Sequence, residues 1–269
     1  MDEPLDPDQL DRYSRQLLLD SIDESAQRTL LSSRVLVVGA GGLGSAVLQY
    51  LTAAGVGTIG VADDGNVKRS NLQRQVVHTV ADVGEPQVER AARFVKGLNP
   101  DVTVEKHAER VCPKTASSLV DGYDVVVDAL DNFCGRFVVN DAARLAGLPF
   151  VHGAVYGYEG QMMVFLPGGP CYRCLLPEAP AEDAVPSDEP MAVFPTTPGT
   201  IGCLQATDVL KHLLDVGDLL GDELLRYDGM DATFVRTPIE QRPDCPICGA
   251  DGIESIDEVE YDDRCRIDR

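Results

Sequence analysis

The sequence predicts an α/β protein with a Rossmann-like, doubly wound and mainly parallel sheet, extended at its C-terminal side by antiparallel strands and a structural four-cysteine zinc site. Three observations predict it. A short apolar strand, Val35 to Val38, runs into the glycine loop Gly39 to Gly44 and then into a helix. Apolar runs and helical patterns go on alternating through the first half of the chain. In the second half stand two C-x-x-C pairs, Cys171/Cys174 and Cys245/Cys248.

Residues 8 to 32 read as helical, with Leu10, Tyr13, Leu17 and Leu18 on one face. Ser45 to Ala54 is the helix after the glycine loop, ended by Gly55, and residues 58–63 form the next strand. Residues 86–98 predict a helix, 102–109 a strand, 113–120 a helix and 124–130 a third buried strand. A helix follows "DNF"; residues 150–168 then alternate as strands do. The segment 177–190, rich in proline and acids without periodicity, reads as a mobile surface loop. Residues 199–217 predict an amphipathic helix, and strands near 223–237 lead to the second C-x-x-C. One domain over residues 1–250 results, with an acidic tail, 251–269, expected to fray.

Composition bounds the function. The formal charge of −21, with lysine only at Lys68, Lys96, Lys106, Lys114 and Lys211, argues against nucleic-acid binding through a basic surface. An acidic, lysine-poor surface suits a salt-rich cytoplasm, where self-repulsion is screened, and predicts stability that rises steeply with molar salt. Full stability at low salt would contradict that halophilic reading. The polar, acidic opening shows no signal-peptide pattern, and no stretch approaches membrane-spanning length, so a cytoplasmic protein without membrane attachment is expected. In a reducing compartment the paired cysteines suggest metal before disulfide, and four thiolates suit a closed tetrahedral zinc site. The four histidines, His78, His107, His152 and His212, show no ligand spacing and predict ordinary packing or surface roles.

G-x-G-x-x-G after a strand and before a helix turns backbone amides towards an anion, and Asp63 ends the next strand where a carboxylate can accept ribose hydroxyls. That leaves a nicotinamide or flavin enzyme and other adenine-nucleotide binders both open. Residues 70–75, "SNLQRQ", favour the second, because Arg74 offers a planar fork for phosphate oxygens in a polar loop that a dehydrogenase does not need. "DALDNF" then puts Asp128 and Asp131 at the carboxyl edge of the sheet, where a carboxylate beside a polyphosphate can hold Mg²⁺.

"RYSRQ" (12–16), "VLVVGAGGLGS", "AAGVGTIGVAD", "SNLQRQ", "DVGEP", "LNPDV", "GAVYGYEGQ", "GPCYRCL", "PGTIGCLQATDVLK" and "PDCPICG" occur in the order found in the MoeB/ThiF/HesA proteins, relatives of ubiquitin-activating enzymes. The resemblance spans residues 8 to 249. It implies that ATP lies on the glycine loop and that the second substrate is the C-terminal Gly-Gly of a small β-grasp protein, ubiquitin-like or a sulfur carrier. The carrier carboxylate attacks the α-phosphate, pyrophosphate leaves, and an acyl-adenylate forms. Carried over by position, Gly39, Gly41 and Gly42 meet the nucleotide and Asp63 the ribose. Asn71, Arg74 and Gln75 approach the phosphates, Ser70, Leu72 and Gln73 of the same loop and Asn132 bind the nucleotide, and Asp131 serves Mg²⁺. Arg15 resembles the arginine that one subunit of a family homodimer inserts into the other's site. The family also carries a structural zinc at Cys171, Cys174, Cys245 and Cys248.

Two departures qualify what the resemblance implies. Gln87 stands where the family usually has a lysine reaching the phosphates, and losing one preorganised donor typically costs on the order of 100- to 1,000-fold in rate. Residues 185–199 also lack the cysteine that thioester-forming members carry after "VP", so transthiolation is not expected, and Cys203 reads as a small core residue of its helix. A MoeB-like adenylyltransferase that hands its adenylate to a separate sulfur donor is the first reading, since no rhodanese-like extension follows residue 249. The alternative is a nucleotide-binding relative without catalysis that docks β-grasp proteins or an active paralogue.

Overall fold

Asp6 and Asp23 each accept a backbone N–H three residues ahead, from Gln9 and Ala26, so the N-terminal segment starts a helix twice. The single helix expected over residues 8–32 is therefore two: α1 (Pro7–Arg12) and α2 (Glu24–Ser32), joined by turns. Asp23 was the sequence signal for the break. The computed structural model describes residues 4–180 and 192–261. Most of the loop expected over 177–190, and residues 262–269 of the tail, lie outside the described residues.

Strands and helices then alternate: β1 (Arg34–Val38), α3 (Gly42–Ala54), β2 (Thr58–Ala62), α4 (Gln87–Leu98), β3 (Thr103–His107), α5 (Pro113–Val120), β4 (Val125–Asp128), α6 (Phe133–Leu145) and β5 (Phe150–Tyr156). A two-residue turn through Gly157, at φ +57°, reverses the chain into β6 (Glu159–Phe165). The short α7 (Tyr172–Leu175), the long α8 (Thr196–Leu214) and the hairpin β7 (Glu223–Asp228) and β8 (Thr233–Pro238) complete the chain. The eight-stranded sheet has the order β3-β2-β1-β4-β5-β6-β7-β8. Pairing is parallel from β3 to β5 and antiparallel from there to β8, which is the mainly parallel sheet with its antiparallel extension.

Successive residues of β1 feed opposite layers, as a strand buried on both faces requires. Val35 and Val37 join residues of α3, α4 and α8, while Leu36 and Val38 join residues of α5, α6 and α7. Gly202 on α8 crosses close to α3: a Cβ there would lie 2.6 Å from the Leu43 carbonyl oxygen. Residues 251–261, within the segment expected to fray, pack onto the second layer through Ile256 and Tyr261, both buried. The acidic residues of that stretch obscured two well-spaced apolar anchors.

Order reverses at β1, because the chain moves outward to β2 and β3 and returns on the other side at β4. Such a switch point leaves a crevice at the carboxyl ends of β1 and β4, where doubly wound sheets bind ligands. The loops after those strands touch there: a Cβ on Gly39, which adopts φ +104°, would lie 2.5 Å from the Ala129 carbonyl oxygen.

Candidate active site

The glycine loop fills that crevice. Gly42 begins α3, so the helix N-terminus and its free amides open directly onto the switch point. Asp63, at the end of β2, braces the loop: its Oδ2 accepts from Ala40 N at 2.8 Å and its Oδ1 from Gly65 N at 2.7 Å. Burial pushes its carboxyl above the ordinary carboxylate value, against those two hydrogen bonds, and the charges of Asp64 and Asp131 push the same way. Two loops thus present carboxylates close enough to repel, an arrangement that a cation between them would relieve.

Residues 70–75 fold over the other side. Arg69–Asn71 form one turn of 3-10 helix, and Arg74 N and Gln75 N both donate to the Asn71 carbonyl, at 3.1 and 3.0 Å. Asn71 Oδ1 also accepts from Arg74 Nη2 at 3.3 Å, which holds the guanidinium over the loop. The Arg74 stem lies against Gly42, with Cγ 3.3 Å from where a Cβ would stand, and Gln75 Nε2 is 3.6 Å from the same point on Gly41. Pro198, near the start of α8, closes on Gly42 from the far side at 3.1 Å. Ser70 and Gln73 are exposed and Leu72 is half-buried.

The two acids of "DALDNF" part company. Asp128 is wholly buried and saturated: Arg136 Nε at 2.8 Å and His152 Nδ1 at 2.7 Å meet its Oδ2, and Leu130 N donates to its Oδ1 at 3.0 Å. Burial opposes its charge, yet Arg136 and His152 hold its carboxyl below the ordinary value. It serves the core and cannot serve a metal in the crevice. Asp131 is exposed, touched by Asn132 Nδ2 at 3.5 Å, while Asn132 Oδ1 caps α6 by accepting from Gly135 N at 2.8 Å.

Arg15 is exposed. Its neighbour Tyr13 packs on Gly55, the C-cap of α3, and accepts from Asn99 Nδ2 at 2.9 Å. The 13 residues of α3, rising about 1.5 Å each, separate that end from Gly42 by about 20 Å.

Beneath the glycine loop the structure adds one residue that spacing did not mark, His78, to the expected Gln75 and Gln87. His78 is buried, with Nε2 3.2 Å from the Ala40 carbonyl oxygen. Buried Gln87 opens α4, its N–H donating to the Gly65 carbonyl at 2.9 Å. Gln75 Oε1, His78 Nδ1 and Gln87 Oε1 are buried without a hydrogen-bond partner. Buried polar atoms are nearly always paired, so three orphans in one cradle mark a place built for something else. His78 has no metal-ligand spacing to mark it; its place a few residues after "SNLQRQ" was the available signal.

The second constellation lies across the sheet. Cys171 Sγ is 3.6 Å from Cys245 Sγ, Cys174 Sγ is 3.3 Å from Cys248 Sγ, and all four sulfurs lie within 4.8 Å of one another. Zinc–sulfur bonds of about 2.3 Å in a tetrahedron set sulfurs about 3.8 Å apart, so the set fits a zinc ion and leaves no open position. All four cysteines are free and buried. Around them Arg173 Nη2 reaches Asp141 Oδ2 at 2.7 Å, Tyr261 Oη donates to the same oxygen at 2.7 Å, and Asn140 Oδ1 accepts from Tyr172 N at 2.8 Å. Cys203 on α8 is half-buried, and desolvation raises its thiol, which keeps it protonated and a poor nucleophile.

Residues 13–247 match the ThiF family. The SAMP-activating enzyme E1 of Haloferax volcanii is 53% identical over 263 residues, covering 98% of this chain and 97% of that protein. The sulfur carrier protein adenylyltransferase of Thermus thermophilus is 47% identical over 248 residues, 90% of this chain and 92% of its own. Among solved structures, Escherichia coli MccB has the same fold, with a TM-score of 0.81 at 23% identity over 88% of this chain and 75% of its own. No helix among the described residues is long and apolar enough to cross a membrane. The match takes in the glycine loop and runs to within one residue of Cys248, and the chain belongs to the ThiF family.

Proposed function

We propose that this chain is an ATP-dependent adenylyltransferase acting on the C-terminal Gly-Gly carboxylate of a small β-grasp carrier, ubiquitin-like or a sulfur carrier. The observation that carries it is the cradle of Arg74, Gln75 and the α3 N-terminus around Gly41 and Gly42, at the switch point of a ThiF-family sheet. The relatives named as activating enzyme and carrier adenylyltransferase support it.

The chemistry asks for alignment and charge more than for proton transfer. The carrier carboxylate is ionised at neutral pH, so no general base is required. Its oxygen forms a bond to the α-phosphorus as the bond to the pyrophosphate oxygen breaks, and the site must align two anions and neutralise the growing charge. Asp63 receives the ribose while bracing Ala40; the amides of Gly41 and Gly42 face the phosphates; Asn71 holds the Arg74 guanidinium against them. Asp131, with Asn132 beside it, would hold Mg²⁺, which would supply positive charge to screen the phosphates from one another. Cys171, Cys174, Cys245 and Cys248 would hold a zinc ion that would tie the C-terminal segment to α7, with no open position for chemistry.

Arg15, two residues from the Tyr13 that packs on Gly55 at the C-terminal end of α3, is assigned to the site of a second copy. Leu18 and Leu19 beside it, 73% and 56% exposed, suit a subunit interface in such a homodimer. The adenylate passes to a separate sulfur donor, and the protein works in the cytoplasm.

Pyrophosphate exchange into ATP, with Mg²⁺, molar salt and candidate carriers ending in Gly-Gly, tests the proposal beside a Gln87→Lys variant. Carrier-dependent exchange by the natural chain is expected. Exchange only in the variant would replace the enzyme by a binding protein on an intact scaffold; exchange in neither would refute the reading.

A further inference from the structure

Three orphaned atoms under the glycine loop call for an explanation, and one of them, His78 Nδ1, belongs to a ring that can change state. His78 Nε2 donates to the Ala40 carbonyl at 3.2 Å, which makes Nδ1 of the neutral ring an acceptor, and that atom has no partner. Gln87 Oε1 is an acceptor and also has none. The amide nitrogen of Gln87 turns towards the Gly65 side: a Cβ at Gly65 would lie 2.7 Å from it and 3.0 Å from Asp63 Oδ1. Its oxygen is left towards His78, whose protonated form gains from the Gln87 side chain. Two acceptors side by side satisfy nothing. One proton on Nδ1 satisfies both.

The charged groups around the ring come from each neighbouring element. Asp63 stands at the end of β2 and Asp82 in the turn before α4, and both favour the imidazolium. Asp82 is itself met by Arg90 Nη1 at 3.6 Å and by the field of Arg93, both on α4. Burial outweighs the two acids and pushes His78 below the ordinary histidine value, so the ring of the free protein is neutral at pH 7. Mg-ATP on the loop brings net negative charge to the far side of Ala40, and nearby negative charge favours a cation.

We propose that His78 is a proton-loaded positioning residue: a nucleoside triphosphate settling on the glycine loop draws one proton from solvent onto His78 Nδ1, Gln87 Oε1 accepts it, and the imidazolium supplies beneath Ala40 the positive charge that Gln87 lacks. The proposal rests on the reading that the loop holds a nucleotide. The charged ring also strengthens the hydrogen bond to the Ala40 carbonyl, which polarises the Ala40–Gly41 peptide and its N–H at the anion. The nucleotide-bound form holds more protons than the free form. Affinity for ATP therefore weakens as pH rises, by up to about tenfold per unit between the free and bound midpoints of His78, and is flat outside that window.

Calorimetry of Mg-ATP binding to the full chain, in buffers of different ionisation enthalpy between about pH 6 and 8, reads the proton directly. Net uptake is expected with the natural protein, and none with His78→Asn. Gln87→Lys should bind without uptake, because a fixed ammonium repels the second charge. Gln87→Met, which removes the acceptor, should take up less, and these two carry the test if His78→Asn does not fold. With only four histidines in the chain, NMR should show one imidazole, missing in His78→Asn, whose midpoint rises on adding Mg-ATP. Binding without uptake, or uptake undiminished in His78→Asn or Gln87→Lys, overturns the proposal and leaves the nucleotide reading standing. No Mg-ATP binding at any pH overturns both.

Discussion

The nucleotide crevice and the cysteine knuckle are both rich in buried polar groups, and they treat those groups in opposite ways. At the knuckle, Asp141 receives Arg173 and Tyr261, Asn140 receives Tyr172 N, and the sulfurs face one another at metal-ligand separations. At the crevice Gln75, His78 and Gln87 keep buried atoms unpaired, and Asp63 sits within the field of Asp131. The knuckle closes its hydrogen bonds within the chain, and each orphan elsewhere costs about 1–3 kcal/mol. A binding site leaves some of them open for the ligand to close.

Breaking the knuckle should give the largest effect. Cys245→Ser, or a strong chelator, removes metal-binding free energy of about 10 kcal/mol or more in comparable sites and should release residues 245–261 from the body. Limited proteolysis and metal analysis would register both; an unchanged digestion pattern would show the knuckle to be dispensable. Arg173→Met leaves Asp141 buried with only the neutral donors Tyr261 Oη and Asn140 Nδ2 and should cost about 3–5 kcal/mol in denaturant unfolding, with Mg-ATP affinity of the folded fraction unchanged.

Arg74→Ala works the other way. It removes a preorganised donor and should lower carrier-dependent exchange about 100- to 1,000-fold, leaving the melting temperature within a few degrees. An equal loss of stability would mean that Arg74 belongs to the scaffold. The smallest effect is a pH slope. Burial lowers His78, His152 and His212 below the ordinary histidine value, so the unfolded chain binds more protons below about pH 6.5 and stability falls as pH drops through that range. Saturating Mg-ATP should flatten the part of this slope that belongs to His78, and only that part.

Much of this contrast was legible in the sequence. Alternation of apolar runs and helical patterns places the parallel half, because β1 and β4 are too short and too apolar to be anything but buried strands. Glycine loop, "SNLQRQ" and "DNF" meet at the crevice because each follows a strand at the switch point, and topology brings strand ends together even when about 90 residues separate them. What spacing could not supply was direction. Nothing local distinguishes Asp128 from Asp131; only the pairing of β4 with β5 sets Asp128 against His152. His78 escaped for the same reason, since its partner Ala40 lies 38 residues away. The tail escaped because its acids masked Ile256 and Tyr261, whose anchors, Asp141 among them, are remote in sequence.

Hydrogen–deuterium exchange of the full chain with and without Mg-ATP, in molar salt, tests the contrast most directly. The account predicts new protection concentrated in residues 39–44, 70–78 and around Gln87, no change at 171–175 and 245–261, and no response to NAD. Protection by NAD in place of ATP, or a response centred on the cysteine knuckle, would contradict it.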